Sequence, residues 1–140
     1  MRALVQRVER ASVTVDGERI AEIRPGMLVL LGVHQGDGPG EAQRMVRKLH
    51  SLRIFEDESG RMNRSVHDVA GEVLCVSQFT LYGDTRKGNR PSFVDAAPPE
   101  QAEPLYEQVR AALAAQGGRF GARMAVELVN DGPVTVLVET

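Results

Sequence analysis

Two short segments of this 140-residue chain carry polar groups where an apolar strand stops or turns. The first is Ser77-Gln78-Phe79-Thr80-Leu81-Tyr82-Gly83-Asp84. Ser77 and Gln78 follow the apolar run Val73-Leu74-Cys75-Val76, so their side chains can reach into a cleft. A strand that simply finishes at the surface gives the same pattern. Ser77 and Thr80 supply hydroxyls that could attack a carbonyl, but such a nucleophile needs a base beside it. No His or Lys lies close to them in sequence. Just downstream, Arg86, Lys87 and Arg90 form a basic cluster, and Phe79, Tyr82 and Phe93 bring half of the chain's aromatics. Cations for phosphates and rings for stacked bases suit the end of a nucleic acid. A solvated loop would also accept these residues. The second segment is Asn130-Asp131-Gly132-Pro133-Val134-Thr135. By pattern it is a hairpin turn leading into a strand whose first residue is proline, a position that tolerates the missing N–H.

Several familiar chemistries are missing. The glycine-rich stretch at 36–40 lacks the following Lys-Ser/Thr of a phosphate-cradling loop. His34, His50 and His67 are far apart and have no cysteine at metal-ligand spacing, so no metal and no cofactor is expected. No Gly-x-Ser-x-Gly elbow is present. The lone Cys75 sits in an apolar run and reads as a small core hydrophobe. The net charge of −2 argues against non-specific coating of nucleic acid, which depends on many Lys and Arg contacts. No stretch is apolar enough to span a membrane, and the first residues lack the apolar core of a signal peptide. A reducing, cytoplasmic setting is expected.

The elements around these segments can be read from periodicity. Residues 1–33 alternate as strands, with Asp16-Gly17 a hairpin turn and Pro25-Gly26 a second turn. Residues 27–33 form an unbroken apolar run suited to a buried strand. Ala42, Met45, Val46, Leu49 and Leu52 make the apolar stripe of one helix. Residues 57–63 read as loop, 72–79 as strand, and 83–98 as an ordered loop. A second helix is expected over 99–116, buried through Leu105, Tyr106, Val109, Ala112 and Leu113 and stopped by Gly117-Gly118. Pro104 falls inside it, which implies a bend there or a later start. Residues 124–129 and 134–138 are two strands joined at 130–133. Strand runs interrupted by two helices indicate a single α+β domain over residues 1–140, mostly antiparallel, with both helices on one side.

Together the two segments resemble the paired signatures of the D-aminoacyl-tRNA deacylase family. Ser77, Gln78, Phe79 and Thr80 match its Ser-Gln-Phe-Thr motif, and Asn130, Gly132, Pro133, Val134 and Thr135 its Asn-x-Gly-Pro-Val-Thr motif. The likeness extends to Val5-Gln6-Arg7-Val8 and to the 87–93 loop. It implies a homodimer that hydrolyses the ester of D-aminoacyl-tRNA, with an active site at each subunit interface. It implies catalytic roles for Ser77, Gln78, Phe79 and Thr80, with backbone N–H groups near Phe79 binding the developing oxyanion. It implies a cis Gly132–Pro133 bond that reaches into the partner's pocket and rejects L-amino acids, supported by Arg7 and Asn130. Arg86, Lys87 and Arg90 would contact the tRNA.

The physical logic of that scheme is simple. An aminoacyl ester is already activated, so a positioned water and an oxyanion hole matter more than a strong nucleophile. Rejection by fixed backbone carbonyls leaves the side chain of a D-substrate unread, and it would also admit glycyl-tRNA mischarged on tRNA(Ala). Two other readings compete with this one. Thr80 could be a covalent nucleophile, its work made unnecessary if the terminal ribose 2′-hydroxyl assists. Alternatively, the chain could be a small RNA-binding module using its basic loop and aromatics.

Overall fold

The first strand sets the frame for everything else. In the computed structural model, which describes residues 1–140, β1 spans Arg2–Val15. It reverses through Asp16 (φ 50°) and Gly17 (φ 78°) into β2, Glu18–Ile23. Positive φ at both central residues is the turn geometry that follows strand twist. β3, Gly26–Gly32, continues along the first half of β1, pairing Val8 with Gly26 and Arg2 with Gly32. On the other side of β1, β8 (Ala125–Glu139) runs antiparallel from the Thr14–Ala125 pair to the Arg2–Glu139 pair.

β1 changes face along its length. Ala3 and Val5 belong to one hydrophobic cluster, whereas Ala11, Val13 and Val15 belong to another. All are odd-numbered, so the two-residue alternation slips by one between them. The slip coincides with irregular pairing to β8 between Val8 and Arg10. An extra residue in one strand bends a sheet, and here it curls the sheet toward a barrel.

β6, Glu72–Ser77, lies parallel to β3, and β7, Gln116–Gly117, lies parallel to β6. Strands buried on both faces read as unbroken apolar runs. Met27, Val29, Leu31, Val73 and Cys75 accordingly fill the first cluster, and Leu28, Leu74 and Val76 the second. Burial also pushes the Cys75 thiol up to about 12, so this cysteine is an inert core residue.

Both helices cover the first cluster, giving the expected α+β fold with its helices on one side. α1, Pro39–Ser51, buries Ala42, Met45 and Leu49. Its start is capped by Glu41, whose Oε2 accepts from the Gly38 N–H at 2.7 Å. α2, Pro99–Ala112, buries Ala102, Leu105, Tyr106 and Val109. No helix is long and apolar enough to cross a membrane.

Four details differ from the sequence reading. Residues 57–63 are not all loop: β4, Phe55–Glu56, pairs with β5, Met62–Arg64. Asp57 Oδ1 closes this ribbon by accepting from the Ser59 and Arg61 N–H groups at 2.8 and 3.1 Å. The strand expected over 72–79 stops at Ser77 and gives way to a 3-10 turn, Phe79–Tyr82. α2 starts at Pro99, so Pro104 lies inside the helix and not at its beginning. That residue is exposed, so water can take the carbonyl that its missing N–H leaves free.

Nor does Gly117 stop α2. The helix closes earlier, at Ala114 (φ 50°), where Ala114 N–H donates to the Ala111 carbonyl and Ala115 N–H to the Arg110 carbonyl, both at 3.0 Å. These are the paired bonds of a Schellman end, which usually has glycine at this position. Gly117 serves a different purpose: a Cβ there would lie 2.7 Å from Tyr106 Oη and 2.5 Å from Arg110 Cδ. Ala114→Gly is therefore expected to stabilise the fold by about 0.5–1 kcal/mol, the left-handed penalty less the added freedom of the unfolded chain. A urea midpoint at or below that of the parent would refute this.

Candidate active site

The sheet's parallel pair ends at a cavity of about 610 Å³. Ser77, Gln78 and Phe79 form one wall where β6 meets the 3-10 turn. The start of α2 contributes Pro99 and Ala102, and the approach to β8 contributes Phe120 and Met124. Phe93 stands at the edge, its ring 5.1 Å from that of Phe79 in an edge-on contact. Phe79 is 54% exposed, so this pair opens onto solvent.

The lining is almost entirely apolar. Ser77 and Gln78 are the only polar side chains on it, and no Asp, Glu, His, Lys, Arg or Cys contributes. Within the chain, then, no side chain can act there as a base near neutral pH. Backbone groups can still donate. The first N–H groups of a helical turn have no carbonyl partner within it, which leaves those of Phe79 and Thr80 without an acceptor, and Phe79 lines the cavity. The turn is tied to β3 by the Gln78 N–H, which donates to the Leu31 carbonyl at 2.8 Å. Thr80 itself does not line the cavity; its Oγ1 accepts from the Gln78 side-chain amide.

The second sequence segment lies elsewhere in the chain. Gln6 pairs with Thr135 and Val8 with Asn130, leaving residues 131–134 unpaired. They bulge out of a strand that keeps the same neighbour before and after, so this is not the hairpin that the turn residues suggested. The Gly132–Pro133 bond is cis, and both residues are exposed. Neither lines the cavity. Asn130 braces the loop: its Oδ1 accepts from Val134 N–H at 2.8 Å, and its Nδ2 donates to the Val134 carbonyl at 3.1 Å.

Arg7 holds the loop from below. Its Nε donates to the Asp131 carbonyl at 2.9 Å and its Nη1 to the Ile54 carbonyl at 2.7 Å. At 7% exposure, a guanidinium so placed needs these acceptors, and the Asp131 carboxylate at 3.4 Å adds a counter-charge. Gly132 sits at φ 149°, and a Cβ on it would fall 2.7 Å from the Val134 nitrogen. Only glycine fits that conformation without displacing the loop.

The basic cluster is smaller than its residue count suggests. Arg86 forks onto Asp84, with Nη2 2.7 Å from Oδ2 and Nε 3.0 Å from Oδ1. The hydrogen bonds from Arg86 hold the Asp84 carboxyl down at about 2. Lys87 and Arg90 are exposed and enter no ion pair. Their loop is closed at its base by reciprocal Asp84–Ser92 backbone bonds of 2.8 and 2.9 Å. The histidines join no group of potential metal ligands. Sequence reasoning missed the α2 and Phe120 walls, because apolar residues that line a cavity look like core residues in a sequence.

Residues 4–139 match the family model described as D-Tyr-tRNA(Tyr) deacylase. A protein of Heliobacterium modesticaldum named D-aminoacyl-tRNA deacylase is 58% identical, across 99% of this chain and 96% of its own length. A solved structure titled c-Myc DNA Unwinding Element Binding Protein is 51% identical, with a TM-score of 0.93 over 100% of this chain and 99% of that one. Another, described as a probable eukaryotic D-amino acid tRNA deacylase, is 17% identical. It shares the fold, with a TM-score of 0.85 over 99% of this chain and 98% of its own.

Proposed function

The chain belongs to the D-Tyr-tRNA(Tyr) deacylase family, and from that premise we propose that it hydrolyses the ester joining a D-amino acid to tRNA. The products are free D-amino acid and tRNA, and residues 1–140 act as one deacylase domain. The observation that carries the mechanism is the cavity wall without an ionisable side chain. A reaction run there has to draw on backbone donors, water and the substrate's own groups. An aminoacyl ester with a neighbouring ribose hydroxyl meets that requirement; an unactivated amide does not. In this reading the Phe79 and Thr80 N–H groups bind the developing oxyanion, and Ser77 and Gln78 orient the substrate. The same wall counts against Thr80 as a nucleophile, since no imidazole or amine lines it.

Chiral selection belongs to Gly132 and Pro133, acting from the partner subunit of a homodimer. Two features favour this arrangement. The loop is rigidly braced yet exposed and away from its own chain's cavity. β8 also pairs only with β1, leaving its outer edge unpaired, and Leu137 there is 53% exposed. The tRNA is bound through Lys87 and Arg90, with Arg86 largely neutralised by Asp84. The enzyme works in the cytoplasm, where aminoacyl-tRNA is made.

Incubation with D-Tyr-tRNA and L-Tyr-tRNA tests the activity: only the D-ester should be cleaved, and an RNA-binding module would leave both intact. Light scattering should give twice the 15.3 kDa chain mass. A hybrid dimer tests the cross-subunit wall. Gly132→Ala homodimers should cleave L-esters as well. Pairing that chain with a Phe79→Pro chain, inactive but intact at Gly132, should restore D-selectivity. If the hybrid still cleaves L-esters, the wall acts within one chain.

A double Lys87→Ala, Arg90→Ala variant should raise KM and reduce the salt slope by about 0.7–0.9 for each phosphate it no longer neutralises. Its kcat should not change, because cations on the phosphates hold ground and transition states alike. A fall in kcat at constant KM would assign these residues to the chemistry instead.

A further inference from the structure

Behind the turn that carries Phe79 and Thr80 lies a cluster that the hydrolytic scheme leaves unused. Tyr82 ends the turn, is 7% exposed, and does not line the cavity. It faces a separate hollow shared with Arg2, His34 and Asp37. The Arg2 guanidinium carbon lies 4.6 Å from the centre of the Tyr82 ring. The His34 ring meets it edge-on, with 5.3 Å between centroids. Both contacts are to the ring rather than the hydroxyl.

Each jaw of this grip is itself fixed. Arg2 donates from Nη1 to the Leu81 carbonyl at 3.1 Å and from Nε to Glu139 Oε1 at 2.7 Å. His34 Nδ1 accepts from the Gly36 N–H at 2.9 Å, and the His34 N–H donates to Asp37 Oδ2 at 2.7 Å. β3 presses from the third side: a Cβ on Gly32 would sit 3.1 Å from the Gln78 carbonyl oxygen and 3.3 Å from Tyr82 Cδ2. The turn needs such outside support. Its own bonds include Leu81 N–H to the Gln78 carbonyl at 3.3 Å and Gly83 N–H to the Thr80 carbonyl at 2.9 Å. Hydrogen-bond geometry in so short a 3-10 turn is poor. Oxyanion donors, by contrast, have to be held within about 0.5 Å of their productive place.

We propose that Tyr82, gripped between Arg2 and His34, is the positioning residue that fixes the Phe79–Tyr82 turn and so aims its backbone N–H groups at the substrate carbonyl. The proposal rests on the deacylase reading above. Tyr82 touches no substrate. It acts through the turn, so its loss should appear in turnover and not in substrate binding.

The test compares Tyr82→Leu, Tyr82→Phe and Arg2→Met on D-Tyr-tRNA, with amide exchange at Leu81 and Gly83 measured in the free protein. Tyr82→Leu and Arg2→Met should lower kcat by up to about 10²-fold, the cost of misplacing reacting groups by about 1 Å. KM should stay at its parent value. Tyr82→Phe should restore kcat because it keeps the ring. Exchange at Leu81 and Gly83 should quicken in the first two variants and not in the third. An unchanged kcat in Tyr82→Leu would overturn the proposal, as would a loss that Tyr82→Phe does not rescue. If the parent protein cleaves no D-ester, the deacylase reading falls. Exchange then still decides the grip on the turn: unchanged rates in Tyr82→Leu would show that Tyr82 does not hold it.

Discussion

Phe79→Pro is expected to slow ester hydrolysis by about 10²–10³-fold, the effect of losing one oxyanion donor worth about 2.7–4 kcal/mol. Proline removes the Phe79 N–H, one of the two donors in this scheme, together with the ring. Its fixed φ suits the first position of a helical turn, and the preceding Gln78 is already non-helical, with ψ 77°. Phe79→Ala is the control, because it deletes the exposed ring and keeps the N–H. It should lose far less in kcat, with any penalty appearing in KM. Thr80→Ala belongs in the same assay and should retain substantial turnover. Equal losses in Phe79→Pro and Phe79→Ala would shift the role from backbone to ring. A Thr80→Ala chain with no turnover, together with an acyl group trapped on Thr80 of the parent, would restore the nucleophile.

The second large effect concerns which esters are accepted. A wall that only excludes has no means of demanding a side chain. Glycyl-tRNA, including glycine mischarged on tRNA(Ala), should therefore be cleaved alongside D-alanyl-tRNA. L-alanyl-tRNA should be slower by about 10–100-fold or more, since forcing one methyl group into filled space costs about 1–3 kcal/mol. Single-turnover rates for the three esters at equal enzyme measure this. Cleavage of D-Ala with glycine untouched would mean that the pocket attracts a D side chain. Cleavage of all three would mean that Gly132 and Pro133 form no wall. If glycine is accepted, correctly made glycyl-tRNA needs protection by another factor.

The sequence revealed the elements well where burial imposes one period. The Ala42, Met45, Leu49 stripe and the two-sided apolar runs of β3 and β6 have few alternatives. It misled where a backbone conformation is set by tertiary contact. Ala114 takes the left-handed place that Gly117 seemed to claim, because Gly117 is needed for the approach of β7 to Tyr106 and Arg110. Residues 130–133 have turn chemistry, yet the chain returns to the same neighbour, and no local pattern encodes that return. At the candidate site, the cleft-facing end of β6 could be read from Ser77 and Gln78 because polar residues interrupt an apolar run there, and both line the cavity. Charge counting could not see that Arg86 forks onto Asp84. The Arg2, His34 and Tyr82 contacts join three distant parts of the chain and leave no mark on spacing.

The cavity with only two polar side chains on its wall has an evolutionary consequence. Every amino acid brings the same peptide group, so working atoms that belong to the main chain are inherited whatever the codon specifies. Substitutions at most wall positions can drift in size and shape without touching the N–H groups of 79 and 80. The vulnerable alleles are few and of a particular kind: proline introduced at 79, or any side chain introduced at 132. A lineage could lose the chemistry through the first of those changes, or its chiral selection through the second, while its cavity stayed intact, and could keep both through many changes that remodel the cavity.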